Sequence, residues 1–152
     1  MNSSKVEHCL VPAASVPYSL AQVGIAAAIN KSLEINCLVC ISVVDVGGHQ
    51  IAFARMDGAP FQSINVALSK ALSVAGNGLA THEFWAIIKS EEQITTAASQ
   101  LAGANWLGGG LPIILEGNLV GALSVSGKSN MTQDIIIAKA AVDAIEAGYI
   151  TK

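Results

Sequence analysis

Charge is what this sequence has least of. Asp, Glu, Lys and Arg make up 12% of its 152 residues, about half the usual share. The eight basic residues, against eleven acidic ones, form no stripe or arm, which excludes the electrostatic footprint of a nucleic-acid binder. No uncharged apolar run of about 18 residues crosses the chain cleanly, so no membrane span is expected; the apolar stretch 16–30 contains Gln22, Gly24 and alanines and reads as a surface-covering helix. The basic start and cleavage pattern of a secretory leader are missing, because Glu7 and His8 interrupt the beginning, and a cytoplasmic location is expected. Cysteine is scarce and odd in number. Cys37-Leu-Val-Cys40 has CxxC spacing, but it enters an apolar strand, has no second pair, and would send its thiols to opposite faces. Structural thiols are the reading, with redox or metal use the alternative.

What is present is apolar: 52% hydrophobic residues. At this length the chain reads as one domain that buries roughly two thirds of its unfolded surface. So few charges leave alanine-rich and apolar surface in water, and a homo-oligomer is expected.

The stretch Ile41 to Gly58, ISVVDVGGHQIAFARMDG, reads as strand, glycine turn and strand. Before it, residues 1–14 look irregular. Ser15 and Pro17 then open a helix ending near Lys31 to Glu34, with Leu20, Val23, Ala27 and Ala28 as its packing side. Asp57-Gly58-Ala59-Pro60 breaks the second strand and starts a helix to about Ala75. Ile64, Leu68, Ala71 and Ala75 recur at core spacing there, while Ser63, Lys70, Ser73 and Asn77 align on another side as a candidate pocket wall. A helical turn follows Thr81, and Ser90-Glu91-Glu92-Gln93 reads as a capping box for a helix of about 91–101. Gly108-Gly109-Gly110 leads to strands at Leu111 to Leu115, an edge because of Pro112, and Leu119 to Ser126. The last helix spans Gln133 to Ala147, with Ile135, Ala138, Val142 and Ile145 inward. The order makes an α/β (α+β) single domain: one antiparallel sheet flanked by helices.

Several residue types fit catalysis on a small carboxylate or carbonyl compound. Arg55, the sole arginine, can hold a carboxylate through two parallel hydrogen bonds, or fix the bend by pairing with Asp57 or Asp45. Asp57, Lys70, Ser73 and His82 offer acid, base and polarising groups for a cofactor-independent lyase or isomerase. The amides of Gly108 to Gly110 can cradle an anion, or simply make a turn. A shared cavity joining Arg55, the polar side of the Lys70 helix and the glycine bend is expected. No serine-hydrolase elbow, Rossmann fingerprint or P-loop is present.

DVGGHQIAFARMDGA (Asp45 to Ala59), the Ser63 to Ser73 run, GGGLPI (Gly108 to Ile113) and VGALSVSG (Val120 to Gly127) together resemble the haem-degrading family of GlcG-like and HbpS-like proteins and PduO C-terminal domains. The resemblance covers about residues 16–148. It implies a profilin- or roadblock-like fold, assembly as dimers or octamers, and a small-molecule ligand with haem or a related tetrapyrrole first. For haem, His82 is the preferred imidazole candidate over His8 and His49. Trp85 and Trp106 would floor the pocket, with Gly109 and Gly110 beside it. A structural or partner-binding oligomer is the remaining alternative, and no metal site is expected.

Overall fold

The computed structural model describes residues 13–149. The irregular start expected at 1–14 lies almost wholly outside the described residues, as do His8 and Cys9. The elements run α1 (Tyr18–Glu34), β1 (Leu38–Val44), β2 (Gln50–Arg55), α2 (Gln62–Asn77), α3 (Thr81–Ile88), α4 (Glu92–Gln100), β3 (Gly110–Leu115), β4 (Asn118–Lys128) and α5 (Met131–Gly148). The strands form one antiparallel sheet in the order β2-β1-β4-β3, the α+β arrangement that the sequence pattern implies.

β1 is central in this sheet and buried on both sides, which is why its sequence is apolar without alternation. Successive side chains still point to opposite faces. Val39, Ile41 and Val43 join Leu123, Ile137 and Ile145 in the core beneath α1 and α5. Cys40 and Val44 face the other way, toward Ala67, Ala71 and Val74 of α2. Cys37 and Cys40 divide between the same two faces, both buried as free thiols, and burial raises both above the ordinary thiol range.

The two faces pack by different chemistry. Large aliphatic side chains fill the α1/α5 side, each contributing about 1.5–3 kcal/mol when fully buried. The α2 side is small and hydroxylated. Ser42 sits opposite Ser124 across the β1–β4 ladder, and Ser124 donates its hydroxyl to the Ala67 carbonyl of α2. Small side chains let that helix lie close to the sheet.

Helix phase is where the structure departs from the sequence pattern. The buried face of α1 is Leu20, Ala21, Gly24, Ala28 and Ser32; Val23, expected inside, is exposed. In an alanine-rich helix the hydrophobic contrast is too small to fix its rotation. Pro17 rather than Ser15 occupies the N-cap position of α1, without a side-chain bond. Ser90 does not form the expected capping box, since Glu91 occupies that position of α4 and no side chain caps it. A capping box forms instead at α5, where Asn130 and Gln133 each bond the other's backbone N–H at 2.9 Å. On α5, Ile137 and Ala141 are fully buried, and Ile135 is only half-buried. Pro112 does lie in an edge strand. Glu116 and Gly117 both adopt positive φ, 51° and 75°, the geometry that the tight β3–β4 hairpin needs.

Candidate functional site

α2 turns most of its polar side inward beside the expected core side: Ala71 is fully buried as expected, and of the polar set only Asn77 is exposed. Ser63, Ala67, Lys70, Ala71, Ser73 and Val74 are buried, while Ile64, Leu68 and Ala75 are half-buried at its flanks. The reason is the hydroxylated face of the sheet opposite, which accepts small and hydrogen-bonding side chains. Lys70 is therefore no pocket-wall lysine. Its side chain is 1% exposed, and its ammonium group donates to the Gly108 carbonyl at 2.7 Å, the Val125 carbonyl at 2.9 Å and Asp134 Oδ2 at 2.8 Å. An ammonium has three N–H donors, so every one is used. Burial pulls Lys70 below the usual lysine range, against the opposing charge and hydrogen bond of Asp134.

The glycine-rich bend is built around that ammonium. Gly108, Gly109 and Gly110 are buried. The Gly109 carbonyl accepts from Val125 N–H at 2.8 Å, and the Gly110 N–H donates to Thr81 Oγ1 at 3.1 Å. Of the three amides expected to cradle an anion, the Gly110 N–H is thus spent on the protein itself. Gly109 has φ +111°, and a Cβ there would lie 2.6 Å from Asp134 Cβ and 2.9 Å from the Val125 carbonyl oxygen, so only glycine fits. Ser73 joins the same loop: its hydroxyl accepts from Asn105 N–H at 2.7 Å and donates to the Ser69 carbonyl at 2.8 Å.

Arg55 and Asp57 are elsewhere. The Arg55 Nε and Nη2 groups both donate to the Ala59 carbonyl, at 3.1 and 3.0 Å, which fixes the bend through a backbone oxygen instead of Asp57 or Asp45. Asp45 is engaged by the Gly47 and His49 amides at 2.8 Å and by His49 Nδ1 at 3.2 Å. Ala59 precedes α2, whereas Ser73 lies in its last two turns; a 16-residue helix spans roughly 24 Å. Among the described residues, none of the four main clefts has Arg55 in its wall, so none of them joins it to the glycine bend.

Two clefts meet at Trp106; others lie between α1 and β2 and beside the β3–β4 turn. The Trp106 ring centroid is 4.2 Å from that of Phe84, with the planes tilted by 33°, and its indole N–H donates to the Ala98 carbonyl at 3.2 Å. One cleft of about 380 Å³ runs between α2 and α4, with Ser73, Asn77, Phe84, Leu101 and Trp106 among its walls. A second, open cleft of about 340 Å³ is lined by Trp85, Trp106, Leu107 and Met131. Both fall within the roughly 300–1,000 Å³ of small-molecule sites, and neither has a charged side chain in its wall. His82 is absent from both walls. Its Nδ1 is buried without a hydrogen-bond partner.

A family model described as "Haem degrading protein HbpS-like" matches residues 16–143. This chain belongs to the HbpS-like family. Among curated proteins, this HbpS-like chain is 37% identical over 116 residues to an uncharacterized 15.0 kDa protein of the dhaT-dhaS intergenic region of Citrobacter freundii, covering 74% of this chain and 80% of that one. Among solved structures it is similar to the Klebsiella pneumoniae protein ORFY, with a TM-score of 0.86 and 30% identity over 94% of this chain and 99% of that one. It is also similar to PduOC, solved as a haem complex, with a TM-score of 0.79 and 27% identity over 86% of this chain and 94% of that one.

Three contributors to the site in this HbpS-like chain escape sequence reasoning. Phe84 precedes Trp85 and carries no sequence signal of its own. Met131 opens α5 and carries no sequence signal beyond its nearness to the capping residue Asn130. Asp134 reads as an ordinary acidic residue in a first helical turn, yet its side chain is only 7% exposed and meets Lys70 from 64 positions away.

Proposed function

We propose that this chain binds a flat, largely apolar small molecule, with haem or a related tetrapyrrole first, in the clefts on either side of Trp106. The observation that carries this reading is that Trp106 forms part of both walls, one cleft adding Phe84 and the other adding Trp85 and Met131. Aromatic walls favour a planar ring by stacking and burial. PduOC, whose fold and family this chain shares, was solved with haem.

The apolar and aromatic linings suit the faces of such a ring. The cleft at Trp85 offers two indoles, Leu107 and a thioether. Acidic substituents of a macrocycle would point to solvent, because no cation lines either wall. Haem, when bound, supplies an iron centre for ligand exchange or one-electron chemistry. The chain's own part is to exclude water from the ring faces and hold its orientation.

Assembly into a homo-oligomer is part of the same reading. No residue of α4 is buried, and Trp85, Ile87, Ile94 and Leu101 are exposed on α3 and around α4. A nine-residue helix is marginal in water by itself, and a partner subunit would cover it.

Titration of the purified protein with haem tests the reading. A saturable Soret band is expected, and Trp106→Ala should weaken binding about tenfold or more while the far-ultraviolet spectrum of the fold is kept. No saturable band, or full affinity in Trp106→Ala, would remove the Trp106 clefts from consideration.

A further inference from the structure

We infer that Ser73 and Trp106 form a brace that fixes α4 opposite α2 and so sets the width of the cleft that receives the ligand. The inference rests on the reading that the α2–α4 cleft is part of the ligand site, and adds the residues that position its walls. Ser73 stands on α2 and Ala98 on α4, and both line that cleft. The Ser73 hydroxyl accepts from Asn105 N–H at 2.7 Å, and the indole N–H of the next residue, Trp106, donates to the Ala98 carbonyl at 3.2 Å. Two consecutive loop residues therefore tie one wall to the other.

α4 depends on that tie because the core does not hold it. Thr95 and Ala98 are half-buried, and every other residue of the helix is exposed. The Thr95 hydroxyl bonds carbonyls at the helix's own start, those of Glu91 and Glu92. Among the described residues, the Trp106 indole makes the one hydrogen bond that reaches α4 from beyond its flanking residues. Past the C-terminal end of the helix the chain passes through Gly103 at φ +76°, where an added Cβ would have no atom within 4 Å. No packing at that joint fixes the direction of α4 either.

The other end of the brace is firm. Asn105 Oδ1 accepts from Leu107 N–H at 3.0 Å, closing a turn around Trp106. Lys70 holds the Gly108 carbonyl at 2.7 Å, one residue further on. Serine suits position 73 because its hydroxyl both donates and accepts: it donates to the Ser69 carbonyl one turn back at 2.8 Å, which orients the oxygen that receives Asn105. Alanine there would favour the helix but leave the Asn105 N–H without this partner. The loss then falls on the loop and on α4, and not on the sheet.

Amide hydrogen exchange and haem titration of the full chain test the brace in Ser73→Ala, Ser73→Thr and Trp106→Phe. Phenylalanine keeps a ring beside Phe84 and lacks the indole N–H. Ser73→Ala and Trp106→Phe should each speed exchange of the 92–100 amides about tenfold while the β1 and β4 amides keep wild-type rates. Each should also weaken haem binding about tenfold. Ser73→Thr keeps the hydroxyl and should restore both properties. A merely structural role for Ser73 would instead lower protection across the sheet, and that result overturns the inference. Wild-type exchange of α4 in either variant overturns it and spares the haem reading, since something other than the brace, such as a second subunit, would then hold the helix. Faster α4 exchange with unchanged haem affinity overturns it too, as does a Ser73→Thr that behaves like Ser73→Ala. Trp106→Phe decides alone if Ser73→Ala fails to fold. A wild type without a saturable Soret band overturns both readings.

Discussion

Lys70 Nζ lies 2.8 Å from Asp134 Oδ2, and the two side chains are 1% and 7% exposed. The pair joins α2 to α5 across the end of β4, and Ser129 completes it by donating its hydroxyl to the second Asp134 oxygen. Because Lys70 also holds the Gly108 carbonyl, one ammonium group sets the path of the loop that carries Trp106.

Breaking that pair should therefore be costly. Lys70→Met leaves the Asp134 carboxylate buried without its cation and should destabilise the fold by about 3–5 kcal/mol. Lys70→Met combined with Asp134→Leu should recover much of the loss, because no buried charge then remains. Urea unfolding of the two single variants and the double variant checks this. Additive losses would show that the pair is not coupled.

Gly109→Ala tests the close approach around the same ammonium. At φ +111° a side chain carries about 1–3 kcal/mol of backbone strain, and overlap with Asp134 Cβ and the Val125 carbonyl adds about as much again. A clear fall in thermal midpoint is expected. Gly103→Ala is the comparison: its φ of +76° is also positive, but no atom lies within 4 Å of the added carbon, so a smaller fall is expected.

Asp45 gives the chain an acid-dependent element. The His49 backbone N–H, followed by the His49 side chain and the Gly47 N–H, lowers Asp45 below its usual 3.8. A carboxylate depressed in the folded state adds stability above its unfolded pKa and loses it as pH falls through the folded value. Asp45→Ala should cost about 1 kcal/mol at neutral pH after allowance for solvent screening. The difference from wild type should vanish in strong acid. Unfolding curves across that range check the sign, and a gap that widens in acid would contradict it.

Arg55→Lys separates bend-fixing from ligand-holding. Lysine keeps the charge but not the two-pronged contact with the Ala59 carbonyl. A loss of about 1 kcal/mol is expected; on the proposed haem reading, affinity at the Trp106 clefts should stay within about twofold of wild type. A large loss of affinity at unchanged stability would place Arg55 at the ligand, through a second subunit.

Strand positions and turns were legible from sequence because their signals are local. The β-branched run Leu38–Val44 and the Glu116-Gly117 turn each follow from what a few adjacent backbones can adopt. The separated glycine and serine motifs also reveal the family, since they mark the hairpins and close approaches of this fold. Local pattern does not set the rotation of a helix whose faces differ little in hydrophobicity. Val23 was expected inside and is exposed, with Gly24 buried beside it, and Lys70 is more deeply buried than Ile64 on the same helix. Only the tertiary structure decided that Lys70 is a fully bonded strut and not a free amine. Its partners Gly108, Val125 and Asp134 are 38, 55 and 64 residues away, and the energy of a buried charge depends on groups that only folding brings together.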